Sequence, residues 1–370
     1  MTQRYDRVLI STVLALLGFG TIMVFSVSSV VSGDTGVFTR QLLLTALGIV
    51  VMLLVMQIDY HVYGRRGVMI TLLAMTYLLL LLALVSPEVK GVHRWIVLGR
   101  FRFQPSELAK LVVILFTSYS LACRKEDLCS LWRGLLPCLS VIGSIALLIL
   151  RGPDLGTAVC VAVNAGFLLY VGGIKYRHLA ALAVAATLAF YLLVWRVPYR
   201  QDRIMAFVNP DQSPLGISYQ IRQSLIAVGS GGWTGTGFAQ SKQKLSFLPE
   251  SHTDFIFSIL GEELGLLGCC AVLALLLMFF WRGVRIALRA DSPLGTLVGL
   301  GVVGMIIFQS LINISVVLSL LPTKGIPLPF ISVGGSSLLV MLTGVGILLN
   351  ISSQGSSQGV EKGWLRLGSE

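Results

Sequence analysis

The sequence predicts an all-α integral membrane protein of about ten transmembrane helices, with a long extracytoplasmic loop between the seventh and the eighth. Three observations predict it. The chain of 370 residues is 55% hydrophobic but only 12% charged, whereas soluble domains are about 25% charged. Its mean hydropathy of +0.85 implies more apolar surface than a soluble core of this length can enclose. Apolar stretches also recur along the chain at about the 20 residues that a helix needs to cross the hydrocarbon layer.

The spans fall at roughly 8–31, 38–58, 67–85, 107–122, 134–150, 155–173, 178–195, 254–281, 294–319 and 329–351. They are read as helices because an open sheet cannot satisfy its backbone in lipid. The first follows a basic start, Met1 to Arg7, and is too long for the core of a cleaved signal, so it is read as a retained helix. Residues 1–351 are expected to form one polytopic membrane domain with long outer loops at about 86–106 and 196–253. The stretch 352–370, rich in Ser, Gly and Gln, reads as a disordered cytoplasmic tail.

Orientation follows from Lys and Arg in the short connections. With the N-terminus in the cytoplasm, the inner segments hold Arg4, Arg7, Arg65, Arg66 and their counterparts through Arg366, while the short outer connections hold only Arg40, Arg151 and Lys324. Both termini are therefore placed inside. The long outer loops are basic too, with Arg94, Arg200, Arg203, Lys242 and Lys244 among their cations. Long loops escape the orientation rule, so these charges are either a solvated face or a match for an anion, such as a lipid-linked pyrophosphate or acidic headgroups.

Several chemistries are disfavoured. The six cysteines include no C-x-x-C and lie in or beside apolar stretches, as buried small hydrophobes do. The four histidines form no H-E-x-x-H, so no zinc site can be argued. The glycine-rich run Gly229 to Gly237 matches neither dinucleotide nor P-loop spacing and faces the side without ATP, so no nucleotide is expected.

Ionisable groups at the edge of a span are costly and point to function. The eighth span opens Glu250-Ser251-His252-Thr253-Asp254. Thr253 or Asp254 would serve as an N-cap. Helical spacing also puts Asp254, Ser258 and Glu262 on one face, with Glu262 about 12 Å below Asp254. That arrangement reads as a site carboxylate with its support. Pro105 and Ser106 mark a helix start, after which Glu107 and Lys110 can pair. Asp154, in Arg151-Gly152-Pro153-Asp154, can cap the sixth helix. The run Pro322 to Phe330, followed by Gly334-Gly335-Ser336-Ser337, is an irregular lead-in to the last span with Lys324 at its rim.

The blocks GVHRWIVLG, FQPSELAK, GPDLGTA, KLSFLPESHTDFIFSILGEELG and LPTKGIPLPFISVGGSS, in this order, resemble the SEDS (shape, elongation, division and sporulation) family across nearly the whole chain. Within it the division branch is the nearer and the elongation branch second. Gly152, where many members have Gln, and His93, where small residues are frequent, depart from the pattern. The resemblance implies a peptidoglycan glycosyltransferase joining lipid II units into glycan strands at the outer face of the bacterial inner membrane, at the division septum. It implies Asp254 as the catalytic carboxylate, with Arg94, Glu107, Lys110, Asp154, Lys242, Glu250, Lys324 and Ser337 around the substrate and Ser258 and Glu262 as support.

The implied partners are lipid II and the growing lipid-linked glycan, a class B penicillin-binding protein, other division proteins and membrane lipid, with no nucleic acid. A divalent cation, Mg or Mn, is the implied cofactor. A flippase for the same lipid, an elongation-type polymerase and a non-catalytic scaffold are the alternatives. The reaction needs a base for a sugar hydroxyl and positive charge for the departing pyrophosphate. One essential carboxylate is then enough, unlike the pair in most glycosidases.

Overall fold

The computed structural model describes residues 5–31, 36–89, 91–99, 101–123, 134–208, 217–245, 248 and 253–355. Twelve helices and one small hairpin are labelled in chain order. They are α1 (Arg7–Val31), α2 (Gly36–Val55), α3 (Arg66–Val85), the strands β1 (Ile96–Leu98) and β2 (Phe101–Phe103), α4 (Pro105–Cys123), α5 (Leu136–Arg151), α6 (Leu155–Val171), α7 (Tyr176–Trp195), α8 (Pro198–Val208), α9 (Ile217–Ser230), α10 (Ile256–Leu288), α11 (Pro293–Val317) and α12 (Gly335–Gln354). Among the described residues, eight helices are long and apolar enough to cross a membrane, and the shorter apolar α5 and α6 bring the set to the expected ten.

Helices α4, α11 and α12 form the centre of the bundle, with roughly three quarters of their apolar spans enclosed, whereas α7 is almost wholly exposed. Exposure of leucines and aromatics along α7, including Leu188, Tyr191 and Trp195, is what a lipid-facing helix requires. At the end of the bundle that holds the start of α1, Asn350 of α12 accepts from the Tyr60 amide and donates to Met56 O, while Arg282 of α10 pairs with Asp6.

The structure departs from the sequence expectation in four places. The stretch 196–253 holds two helices, α8 and α9, too polar or too short to register as spans. The stretch 86–106 contains an antiparallel hairpin pairing Ile96 with Phe103 and Leu98 with Phe101, turning at Gly99 with φ 62°. The last helix starts at Gly335, after a non-helical run in which Pro322, Pro327 and Pro329 supply no amide donors. The expected tail falls mostly outside the described residues, although α12 continues to Gln354.

The fourth departure lies in α10. Helix α10 is 33 residues long, about 50 Å at full helical rise and well beyond the bilayer core. It is broken at Gly265, where φ is 63° and ψ −160°. Only glycine adopts that conformation without strain. Residues 232–237 take up the exposed backbone groups. Leu266 N donates to Gly232 O at 2.9 Å, Leu267 N to Trp233 O at 3.1 Å, Thr236 N to Glu262 O at 2.9 Å and Gly237 N to Glu263 O at 3.1 Å. The glycine-rich run is therefore a backbone partner for a broken helix.

Gly265→Ala should cost about 1–3 kcal/mol by forcing a Cβ into that conformation, with the ideal Cβ already 2.4 Å from Gly235 N. Thermal unfolding of the purified protein in detergent checks this, and a midpoint equal to that of the wild type would refute it.

Candidate functional site

The site forms where non-helical chain meets the ends of the central helices, at the C-terminus of α11 and the N-termini of α4 and α12. Two amides on one face of α11, Gln309 and Asn313, sit four residues apart and point at this chain. Gln309 Nε2 donates to Pro327 O at 2.8 Å. Asn313 Nδ2 donates to Ile326 O at 2.7 Å and to Asp254 O at 2.8 Å. One side chain thus ties the residue before α10 to the loop before α12.

Asp254 is half-buried and precedes the first turn of α10. Its carboxyl lies against Gly325, where an ideal Cβ would come within 2.7 Å of Asp254 Oδ2. A side chain at 325 would displace the carboxylate. Lys324 runs back over the start of α6, where a Cβ on Gly156 would stand 2.9 Å from Lys324 Cε. Burial pushes the Lys324 ammonium down to about 7. Asp154 opposes that shift, while Arg203 and Arg200 add to it.

Further cations complete the rim. Arg203 Nη1 donates to Thr323 O at 2.9 Å, and Arg200, three residues earlier on α8, bonds Leu193 O at 2.7 Å. Burial lowers the Arg200 guanidinium and Arg94 lowers it further. Arg94 Nε donates to Gly152 O at 2.8 Å and its Nη2 to Pro153 O, so Arg94 clamps the turn before α6 with part of its guanidinium. Gly152 suits that clamp, since a Cβ there would come within 2.9 Å of His93 O.

The remaining sequence candidates act as braces. Asp154 caps α6 by accepting from Thr157 N and Oγ1, at 3.2 and 2.7 Å. It also accepts from Gln104 Nε2 at 2.9 Å and Ser106 Oγ at 3.1 Å, so its carboxylate is committed while its charge still acts on Lys324. Glu107 and Lys110 form a buried ion pair of 2.8 Å, 5% and 2% exposed. Lys110 Nζ also donates to Gln309 Oε1 at 2.6 Å. In this arrangement Lys110 holds Gln309, and through it Pro327, instead of facing the rim.

Other candidates lie elsewhere. The Glu262 carboxylate does not continue a stripe beneath Asp254, because the outer loop claims it through Ser241 Oγ, Lys242 N at 2.9 Å and Gln243 N at 3.4 Å. Ser258 is buried on Ser224 at 2.7 Å and joins α9 to α10. Ser337 is buried and contacts Met341 Sδ. Its neighbour Ser336 makes the inter-element bond, accepting from Gln104 N at 3.0 Å. The Lys242 side chain is exposed, and Glu250 lies outside the described residues.

Sequence reasoning counted Arg200 and Arg203 among the outer cations without selecting them, although their spacing on a short helix was the available signal. Gln309 and Asn313 were missed as uncharged residues inside an apolar span. Among the described residues, no three His, Cys, Asp or Glu side chains form a metal cage. Asp254 beside a phosphate-seeking rim fits only a magnesium-type cation that takes one carboxylate and completes its shell with substrate phosphates and water.

The family model described as Cell cycle protein, covering FtsW, RodA and SpoVE, matches residues 7–357. The chain is 42% identical over 359 residues to the probable peptidoglycan glycosyltransferase FtsW of Geobacter sulfurreducens, covering 95% of this chain and 96% of that one. It is 42% identical over 356 residues to the stage V sporulation protein E of Bacillus subtilis, covering 94% and 96%. It superposes with TM-score 0.79 and 29% identity on a chain of a peptidoglycan synthase complex described as coordinating polymerization and crosslinking, covering 96% and 99%. The Thermus thermophilus rod shape determining protein RodA follows with TM-score 0.73, 28% identity and the same coverage.

Lys110→Met should destabilise the fold by about 3–5 kcal/mol, because it strands the Glu107 carboxylate in the bundle. Adding Glu107→Gln should recover most of that loss. Thermal midpoints of the two variants measure the difference, and equal midpoints would contradict the pairing.

Proposed function

The chain belongs to the FtsW/RodA/SpoVE family of cell cycle proteins, and from that membership and the geometry of its outer cleft we propose how it acts. It is a multi-pass membrane peptidoglycan glycosyltransferase of the division type. The substrate is lipid II, added to a growing lipid-linked glycan at the outer face of the cytoplasmic membrane, with both termini of the enzyme inside. The observation that carries this reading is the Asp254 carboxyl held against Gly325, the residue that follows Lys324, a base against the same loop that carries a cation a diphosphate needs.

In the reaction, a sugar hydroxyl attacks the anomeric carbon of the donor from the face opposite the diphosphate. The new glycosidic C–O bond forms as the anomeric carbon–phosphate oxygen bond breaks. Asp254 takes the hydroxyl proton. Lys324, Arg203, Arg200 and the uncommitted N–H groups of Arg94 receive the charge that develops on the lipid diphosphate. The diphosphate leaves without protonation, so no second acid is required. Asn313 and Gly325 fix the base by its backbone and its carboxyl respectively, which supplies orientation. Asp254 is the residue that would hold a magnesium or manganese ion, which would supply further neutralisation of the leaving group.

The partner is a class B penicillin-binding protein that cross-links the strands, with action at the septum. The likeness to a chain of a complex coordinating polymerization and crosslinking supports this reading.

Asp254→Asn keeps the shape and removes the base. Strand formation from lipid II by the complex should fall at least about a hundredfold, with folding and partner binding unchanged. Strands made at the wild-type rate would exclude Asp254 as the base, and lipid II crossing the membrane without strand formation would favour a flippase.

Lys324 sets the pH dependence. Its ammonium is charged below about pH 7 and loses its proton above it, so kcat/KM should fall as pH rises through about 7. Lys324→Arg should move that falling limb upward, because a guanidinium stays protonated. Stability takes the opposite sign. Between about pH 7 and the ordinary lysine value of 10.5 the unfolded chain holds a proton that the folded one has released, so this group's contribution improves as pH rises. A limb unmoved in Lys324→Arg would remove Lys324 from the site.

A further inference from the structure

Lys244 belongs by sequence to an outer loop, yet its side chain is only 1% exposed. Its Nζ lies 2.8 Å from Glu263 Oε1 and 3.1 Å from Ser26 Oγ on α1. Ser26 Oγ reaches both Glu263 oxygens at 2.7 Å, and Ala239 N donates to Oε2 at 3.1 Å. The adjacent Glu262 holds Ser241 Oγ and the amides of Lys242 and Gln243. Two consecutive glutamates of α10 therefore grip residues 239–244.

The preceding segment needs such a grip. Residues 232–237 pair with the break in α10 mainly through backbone groups, with Thr236 Oγ1 adding one bond to Glu262 O at 3.0 Å, and the sequence there is Gly-Trp-Thr-Gly-Thr-Gly. Backbone pairing by itself specifies register weakly; here the close approach of Gly235 to Glu263 O leaves no room for a Cβ at that one position, and the adjoining side-chain grip adds a second constraint. A buried ion pair contributes little net stability over an apolar replacement, but it is satisfied in one alignment only. Downstream, Leu248 is buried and its amide bonds Gln243 O at 3.0 Å. Five residues then lead to Asp254.

We propose that Lys244 is a positioning residue: by pairing with Glu263 and Ser26 it sets the register of the outer loop on the broken helix α10, and through that register the placement of Asp254. Lys244 meets no substrate in this scheme. The proposal deepens the glycosyltransferase reading and rests on it for its catalytic part only.

The test compares wild type, Lys244→Arg and the neutral pair Lys244→Met with Glu263→Gln, which leaves no stranded charge. Hydrogen exchange by mass spectrometry is followed in peptides from 232–239 and from α11. Strand synthesis from lipid II, with the penicillin-binding partner present, gives kcat and KM. The neutral pair should keep α11 protected and lose protection over 232–239. Its kcat should fall about a hundredfold with KM within about twofold. Lys244→Arg should retain both protection and rate. Unchanged protection over 232–239 in the neutral pair would overturn the proposal. So would lost protection with unchanged kcat, or lost protection throughout α11. The exchange measurement does not depend on polymerisation, so a wild type that makes no strands would count against the enzyme reading while the register claim is still decided by exchange.

Discussion

Non-helical backbone at the edge of a membrane protein must find partners for its polar groups, and the outer cleft depends on how that constraint is met. Here two amide side chains of α11 meet it. Gln309 and Asn313 take the carbonyls of Pro327, Ile326 and Asp254, and Lys110 holds Gln309 in turn. The three prolines in the loop reduce the number of amide donors that need partners. The result is a rigid irregular segment that carries Lys324 and seats Asp254. A cleft built from mobile loops could not keep a carboxylate and an ammonium at fixed spacing, and fixed spacing is what orientation-based catalysis requires.

Charge is sorted by depth. Cations that are buried in the bundle or under the outer loop, Lys110 and Lys244, each have a glutamate within 2.8 Å. At the rim, Arg94 bonds to Gly152 O and Pro153 O and Arg200 to Leu193 O, and Thr323 O is among the partners of Arg203. A carbonyl orients a guanidinium without cancelling its charge, so the rim keeps a positive field available to an anion. Burial lowers the Lys324 proton affinity and the neighbouring Arg203 and Arg200 lower it further, and a bound diphosphate would offset both.

Much of this architecture was legible in the sequence. The ten apolar stretches mapped onto α1–α7 and α10–α12 because helix length in lipid is dictated by bilayer thickness. Asp254, Lys324, Arg94 and Asp154 stood out because ionisable residues at span edges are rare. What escaped has physical reasons. Gly265 breaks α10 inside a continuous apolar run, so hydropathy could not see it. Glu262 shares a helical face with Ser258 by spacing, but the outer loop claims its carboxylate, a contact no local pattern encodes. Gln309 and Asn313 are polar without charge and vanish in an average over α11. Lys244 looked like one of several surface cations, and only the fold reveals that Glu263 and Ser26 enclose it.

The central claim is that the loop pinned by Gln309 and Asn313 presents Lys324 and Asp254 to one lipid diphosphate. A structure of the protein with a non-reactive lipid-linked diphosphate, determined by electron cryomicroscopy, tests it most directly. The account predicts phosphate oxygens within hydrogen-bond reach of Lys324 and Arg203, with the Asp254 carboxylate facing the adjoining sugar. A diphosphate seated away from the 323–326 loop, with Asp254 turned from it, would contradict the account.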